Sequence, residues 1–159
     1  MNNKSNAYGQ VITNGKQLYT EITIKATPEK VWAVLTDFAA YPSWNPFVKS
    51  IKGIPVIGRP IEVLLQPEGS KGMTMKPVVV NYEANKELRW IGKLFASHIF
   101  DGEHAFVLHD NGDGTTTFMQ YEHFRGILVP FLKKMLDVDT KASFIQMNEA
   151  LKKRVESSN

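Results

Sequence analysis

The sequence contains no cysteine. This absence excludes a disulfide framework, a thiolate nucleophile and any zinc site with cysteine ligands. The chain has 4 histidines, but they do not follow the His-Glu-x-x-His spacing that places two zinc ligands on one face of a helix. We therefore expect no metal site.

The motifs of several common enzyme families are also missing. There is no Gly-x-Ser-x-Gly elbow, no phosphate-binding glycine-rich loop followed by Lys-Ser or Lys-Thr, and no dinucleotide fingerprint. The stretch Gly112-Asp113-Gly114 matches the turn of a β-hairpin instead. These absences predict no cofactor and favour a binding protein over an enzyme.

Long apolar runs are absent as well. No stretch approaches the roughly 18 apolar residues of a membrane-spanning helix, so we expect no stable membrane insertion. Residues 1–16 are rich in Asn, Lys and Gly and lack the apolar run of a signal peptide. We expect them to form a flexible N-terminal segment, and we expect the protein to be cytoplasmic.

Neither sign of charge dominates the chain. It has 19 basic and 16 acidic residues, for a formal net charge of +3, and the basic residues are scattered along the sequence. A nucleic-acid-binding surface needs basic residues gathered into a patch or stripe. We therefore expect no nucleic acid partner, and the sequence makes no prediction of oligomeric state.

Bulky apolar residues, in contrast, are plentiful: 9 Phe, 5 Tyr, 3 Trp and 6 Met among 159 residues. Such a chain is long enough to bury a sizeable core. No repeat or linker divides it, so we predict a single domain over residues 17–157.

The period of the apolar residues predicts the order of the elements. Alternation from Leu18 indicates a strand, Pro28 begins a short amphipathic helix, and Tyr41–Phe47 forms a rigid turn with two prolines. Six more strands follow, and apolar residues from Phe131 to Val155 mark one face of a long C-terminal helix, with Lys141–Glu156 as its continuous part. The polar residues from Asp137 to Thr140 interrupt this stripe, so a kink or a separate first turn there is the alternative. The predicted strands cover 18–26, 48–51, 61–66, 73–82, 88–94, 99–109 and 115–124.

This order predicts an α+β fold. We predict a curved seven-stranded antiparallel sheet that wraps around the long C-terminal helix, with two short helices between strands 1 and 2. The short connections between successive strands favour an antiparallel arrangement.

Three segments carry a resemblance to a known family. They are Thr27-Pro28-Glu29-Lys30-Val31-Trp32, the turn with Trp44-Asn45-Pro46, and the late strand from Thr116 to Gly126. With the element order, they resemble the START/polyketide cyclase (SRPBCC) superfamily of helix-grip proteins over about Leu18 to Val155. The resemblance implies a cavity between the sheet and the C-terminal helix. Members include lipid-transfer domains, polyketide cyclases, plant hormone receptors and a chaperone-stimulating branch, and no catalytic residue is common to all of them.

A group of apolar side chains is predicted on the concave face of the sheet and on the facing side of the helix. They could line a ligand cavity or pack against one another as a solid core, because both uses need the same chemistry. The candidates are Ile61, Val63, Leu65, Met75, Trp90, Phe106, Phe118, Phe144, Met147 and Leu151.

His104 and Glu122 are the most informative polar candidates. A hairpin loop over 110–114 that pairs Leu108 with Phe118 sets His104 opposite Glu122, whereas a register two residues away sets it opposite Gln120. Both arrangements point the polar side chains toward the cavity. The pair could act as a general acid and base, could anchor a polar group of a ligand, or could be purely structural.

Two aromatic residues are candidates for closing the cavity. Trp44 could form a lid or a hydrophobic plug that anchors the short helices to the sheet. Phe131 lies in a segment where Gly126 and Pro130 permit a hinge between strand and helix.

Three functions are compatible with these predictions. The first is binding or carrying a small hydrophobic molecule such as a lipid, an isoprenoid or an aromatic polyketide. The second is a polyketide cyclase/dehydrase-type enzyme in which His104 and Glu122 transfer protons. The third is an interaction module of the chaperone-stimulating kind, which would use an outer surface.

Overall fold

The computed structural model describes residues 10–12, 17–94, 99–131 and 139–158. Within these ranges the chain forms nine strands, three α-helices and two short 3₁₀ turns. The strands are β1 (Gln10–Ile12), β2 (Gln17–Ile24), β3 (Val48–Lys52), β4 (Glu62–Leu65), β5 (Met73–Met75), β6 (Val78–Glu83), β7 (Glu87–Leu94), β8 (Phe100–Asp110) and β9 (Thr116–Arg125).

All pairings between strands are antiparallel, and they form two sheets. The larger sheet has the order β1-β2-β9-β8-β7-β6, and the smaller one has the order β3-β4-β5. An isolated β-bridge pairs Pro60, which precedes β4 in the chain, with Val78 of the edge strand β6 in the larger sheet.

The helices follow the signals in the sequence. Helix α1 (Pro28–Thr36) begins with proline in its first turn, where the missing N–H costs no helical hydrogen bond. A 3₁₀ turn (Phe38–Ala40) and the single-turn helix α2 (Tyr41–Trp44) follow it. A second 3₁₀ turn (Val129–Phe131) follows β9, and helix α3 (Lys141–Glu156) packs along β2 and α1.

The predicted number of strands needs a correction, since the seven expected strands become nine in two sheets. The run predicted over 73–82 divides into β5 and β6 because Pro77, between them, has no N–H to donate to a ladder. The additional strand β1 lies in the segment that was expected to be flexible, and pairs with β2. The remainder of residues 1–16 lies outside the described residues, and the domain boundaries stay a prediction.

The predicted register of the hairpin between β8 and β9 is confirmed: Leu108 pairs with Phe118, and His104 pairs with Glu122. The predicted helix-grip arrangement is also confirmed, because α3 lies against the antiparallel sheet with Phe144, Met147 and Leu151 buried. The apolar residues that precede Asp139 in the sequence, Leu132, Met135 and Leu136, lie outside the described residues.

Candidate functional site

The concave face of the larger sheet is built from cross-strand rows. Because side chains alternate along a strand, the even-numbered residues of β7, β8 and β9 all point to this face. Four successive rows are Leu108-Phe118-Ile22, Leu88-Phe106-Gln120-Thr20, Trp90-His104-Glu122-Leu18 and Gly92-Gly102-Phe124.

The first two rows form a filled core under helix α3. Phe106 and Phe118 stack with ring centroids 5.9 Å apart and are fully buried, as are Met147 and Leu151 of the helix. A buried polar network also lies here: Gln120 Nε2 donates to Asn148 Oδ1 at 2.7 Å, and Asn148 Nδ2 donates to Thr20 Oγ1 at 3.0 Å. These bonds tie α3 to β9 and β2 in this half of the interface.

The last two rows border an open cavity of about 860 Å³. Its walls come from the sheet, from the loop between β4 and β5, from the turn after α2, and from the start of α3. The described residues that line it are Phe47, Val48, Leu65, Pro67, Glu68, Gly69, Ser70, Lys71, Gly72, Met73, Met75, Trp90, Gly92, Phe100, Gly102, His104, Glu122, Phe124, Asp139, Thr140, Ala142, Ser143, Phe144 and Gln146.

The turn after α2 positions one wall of this cavity. Asn45 is buried, and its Oδ1 accepts hydrogen bonds from the backbone N–H groups of Phe47 and Val48, each at 2.9 Å. An asparagine side chain that bonds to N–H groups following it in the chain holds the backbone in a turn. This turn directs Phe47 onto Phe144 of α3, with ring centroids 5.7 Å apart.

Aromatic rings surround His104 on several sides. Its ring stacks on Trp90 with centroids 5.2 Å apart and an interplanar angle of 19°, and it meets Phe106 and Phe144 edge to face at 4.5 and 5.1 Å. His104 is 5% exposed. Packing from these directions holds the imidazole in one orientation.

His104 and Glu122 form a direct hydrogen bond between Nδ1 and Oε2. When Glu122 is ionised, its carboxylate can only accept this bond, and Nδ1 then carries the proton. The other ring nitrogen, Nε2, is buried and has no hydrogen-bond partner among the described residues. The pair therefore presents one unused polar atom on a side chain that lines an otherwise largely apolar wall.

This arrangement can do two kinds of chemistry. A histidine whose second nitrogen is fixed by a carboxylate can accept or donate a proton through Nε2, as a general base or acid does. The same atom can hydrogen-bond a polar group of a bound molecule.

The structure divides the predicted site residues into two groups. Leu65, Met75, Trp90, His104, Glu122 and Phe144 line the cavity. The residues of the second group are buried in the core and do not border the cavity. They are Ile61, Val63, Phe106, Phe118, Gln120, Met147 and Leu151.

The two candidate lid residues also lie apart from the cavity lining. Trp44 packs edge to face on Tyr41, with ring centroids 5.1 Å apart, and its partly buried side chain packs against the hydrophobic core. Phe131 is 83% exposed at the end of a described segment. Lid roles for both residues stay predictions.

Several lining residues were missed by the sequence reasoning, and some of them could have been found. Phe100, Gly102 and Phe124 lie within the predicted strands and share the parity of His104 and Glu122, so one or two further even positions along the same face reach them. Gly92 follows Trp90 in the same way. The loop over 67–72 carries no such periodic signal.

Two further observations concern the described part of the chain. None of its helices is both long and apolar enough to cross a membrane. Within the same ranges, no three His, Asp or Glu side chains come together as a metal-binding group would require.

A comparison with models of protein families gives a match over most of the chain. The family model described as "Polyketide cyclase / dehydrase and lipid transport" matches residues 16–156. No curated protein sequence matches the chain.

Solved structures share the fold at low sequence identity. A START superfamily protein from Mycobacterium smegmatis has a TM-score of 0.69 at 19% identity, covering 91% of this chain and 99% of that chain. The Zhui aromatase/cyclase from Streptomyces sp. R1128 has a TM-score of 0.72 at 12% identity, covering 89% and 93%. A point mutant of norcoclaurine synthase from Thalictrum flavum, in complex with a transition state analogue, has a TM-score of 0.67 at 13% identity, covering 90% and 97%. At these identities the likeness shows the fold alone.

Proposed function

The chain belongs to the polyketide cyclase / dehydrase and lipid transport family, and we propose that it binds or carries a small hydrophobic molecule in the cavity beside helix α3. The cavity itself is the observation that carries this proposal. Its volume of about 860 Å³ lies within the range of about 300–1,000 Å³ that is typical of small-molecule sites.

The contrast between the two halves of the helix–sheet interface supports the proposal. Protein interiors are normally close-packed, and voids larger than a water molecule are few. In one half, Phe106 and Phe118 fill the space under α3. In the other half, the paired glycines Gly92 and Gly102 lie on the concave face, and the Met75 methyl group and the Glu122 carboxylate occupy the places that their Cβ atoms would take.

The chemistry of the walls indicates the class of ligand. Phe47, Trp90, Phe100, Phe124 and Phe144 supply aromatic surface around the cavity. Burying apolar area against such walls contributes about 25 cal/mol for each Å² removed from water. A lipid, an isoprenoid or an aromatic polyketide would gain most from this site.

A second candidate function rests on the hydrogen bond between His104 and Glu122. In a polyketide cyclase/dehydrase-type enzyme, Nε2 of His104 would take a proton from, or return one to, a carbonyl compound held in the cavity, while Glu122 keeps the imidazole oriented. An aromatase/cyclase and a norcoclaurine synthase share the fold, which supports this candidate at the level of the fold.

Binding of the fluorescent apolar probe N-phenyl-1-naphthylamine tests the proposed function. We expect the intact protein to bind the probe and Ala142→Trp, which places an indole at the cavity wall, to weaken binding at least tenfold. Ala142 is exposed on α3 and lines the cavity. The substitution should therefore leave the melting temperature nearly unchanged.

The matched control is Glu149→Trp, which adds the same indole at an exposed position of α3 outside the cavity lining. This variant should bind the probe as the unmodified protein does. Lack of probe binding by the unmodified protein, together with native mass spectra free of any co-purifying ligand, would overturn the proposal. Equal binding by all three proteins would show that the probe binds elsewhere.

A further inference from the structure

The unused nitrogen of His104 points to the chemistry of the bound molecule. We propose that the ligand of this cavity carries a hydroxyl group that forms a hydrogen bond with Nε2 of His104; this inference rests on the proposed function and adds to it. Two observations support this proposal. Nε2 is buried and has no hydrogen-bond partner among the described residues, and His104 lines the cavity.

Leaving such an atom unpaired is costly in free energy. A buried polar group that has lost water and gained no hydrogen bond is destabilised relative to its solvated state. A ligand that supplies the missing partner removes this cost, whereas a purely apolar ligand leaves it in place. The cavity should therefore discriminate between ligands with and without a matching polar group.

The orientation of the imidazole is fixed before a ligand binds. Glu122 holds Nδ1, Trp90 covers one face of the ring, and Phe106 and Phe144 contact it edge to face. A preorganised partner loses little conformational freedom when the ligand hydrogen bond forms. Nε2 can therefore select among ligands rather than adapt to each of them.

A hydroxyl group is the polar group that matches Nε2 best. In the neutral imidazole, Nδ1 keeps its proton for Glu122, so Nε2 has a lone pair and needs a donor. In the imidazolium, Nε2 carries a proton and needs an acceptor. A hydroxyl satisfies both forms, whereas an ether or a ketone can pair only with the imidazolium.

A pair of probes with the same ring system tests this inference. We would measure binding of 2-naphthol and of 2-methoxynaphthalene by isothermal titration calorimetry, to the unmodified protein and to His104→Phe. We expect the ratio of the two affinities to favour 2-naphthol about tenfold more in the unmodified protein than in the variant. Comparing ratios cancels the difference in hydrophobicity between the probes.

A second measurement needs no variant. The ¹⁵N NMR signal of His104 Nε2 should shift when 2-naphthol is added and should stay in place when 2-methoxynaphthalene is added.

The outcomes separate the two proposals. An equal affinity ratio in both proteins, or an unmoved Nε2 signal, overturns the hydroxyl inference while N-phenyl-1-naphthylamine binding still supports the cavity as a site. The hydroxyl inference also fails if that probe binds and neither naphthalene compound does. If none of the three compounds binds the unmodified protein, the proposed function fails, and the hydroxyl inference fails with it.

Discussion

Gly102 of β8 lies directly beside the carboxylate of Glu122: a Cβ atom at position 102 would fall 2.5 Å from Glu122 Oε1. Real Cβ atoms are essentially never this close to an oxygen, so any larger residue at 102 must displace the carboxylate. Its cross-strand partner Gly92 makes similar room for the terminal methyl group of Met75. The paired glycines therefore let two lining side chains lie close to the sheet and keep the cavity deep.

Replacing Gly102 with alanine should disturb the polar pair. The new methyl group pushes Glu122 away from His104, so the imidazole loses the partner that fixes Nδ1. We expect Gly102→Ala to reduce the preference for 2-naphthol over 2-methoxynaphthalene by severalfold in calorimetric titrations.

Gly92→Ala is the matched control for this prediction. The same methyl group is added in the paired position of β7, but it meets the flexible end of Met75, which can rotate away. This variant should keep the hydroxyl preference. Equal loss of preference in both alanine variants would contradict the role given to Glu122.

Truncations in the two halves of the interface should differ in their effect on stability. Phe118 is fully buried in the filled half, so Phe118→Ala should lower the free energy of unfolding by about 3–5 kcal/mol. Met75 borders the existing cavity, so Met75→Ala should cost less than half as much. Urea denaturation measures both values, and similar losses would argue against an open cavity beside Met75.

The sequence allowed much of the fold to be predicted, because each signal was local and repeated. Alternation along the strands and the short loop over 110–114 limited the partner of His104 to Glu122 or Gln120, and the structure has the register with Glu122. The start of α1 at Pro28 and the helical segment Lys141–Glu156 also matched their predicted places. The division at Pro77 was missed because apolar residues continue on both sides of it.

The boundary between filled and open interior could not be predicted from the same signals. Phe118 and Phe124 have the same side chain and the same parity in β9, and both are buried in the hydrophobic core, yet Phe124 also borders the cavity and Phe118 does not. Periodicity shows on which face of the sheet a side chain lies, but it does not show how completely the space above that face is filled.

The buried polar network should show coupled energetics. Asn148 accepts a hydrogen bond from Gln120 and donates one to Thr20, so Asn148→Ala leaves buried polar groups unpaired and should cost about 1–3 kcal/mol. Gln120→Ala should cost a similar amount. In a double-mutant cycle based on urea denaturation, the double variant should lose clearly less than the sum of the two single losses, because both changes break the same bond. Additive losses would show that the network contributes little as a unit.

The last prediction concerns the C-terminal end of α3 and its dependence on pH. Glu156 accepts hydrogen bonds from Lys152 Nζ at 2.6 Å and from the backbone N–H of Lys25 at 2.8 Å. These bonds, the one from Lys152 above all, lower the pKa of Glu156 below its ordinary value. A carboxyl group whose pKa is lowered by folding stabilises the folded state above the unfolded pKa, and this contribution is lost as pH falls through the folded pKa.

Glu156→Gln should therefore be less stable than the unmodified protein at pH 7, and the difference should shrink below about pH 4.5 as the native carboxyl becomes protonated. The group is partly exposed, so we expect a difference of only about 0.2–1 kcal/mol at pH 7. Urea denaturation at a series of pH values measures it. Glu149→Gln removes the same charge from an exposed position of the same helix and should show a smaller pH-dependent difference. A constant difference between the unmodified protein and Glu156→Gln across this pH range would contradict the prediction, because the stabilisation would then be independent of the ionised carboxylate.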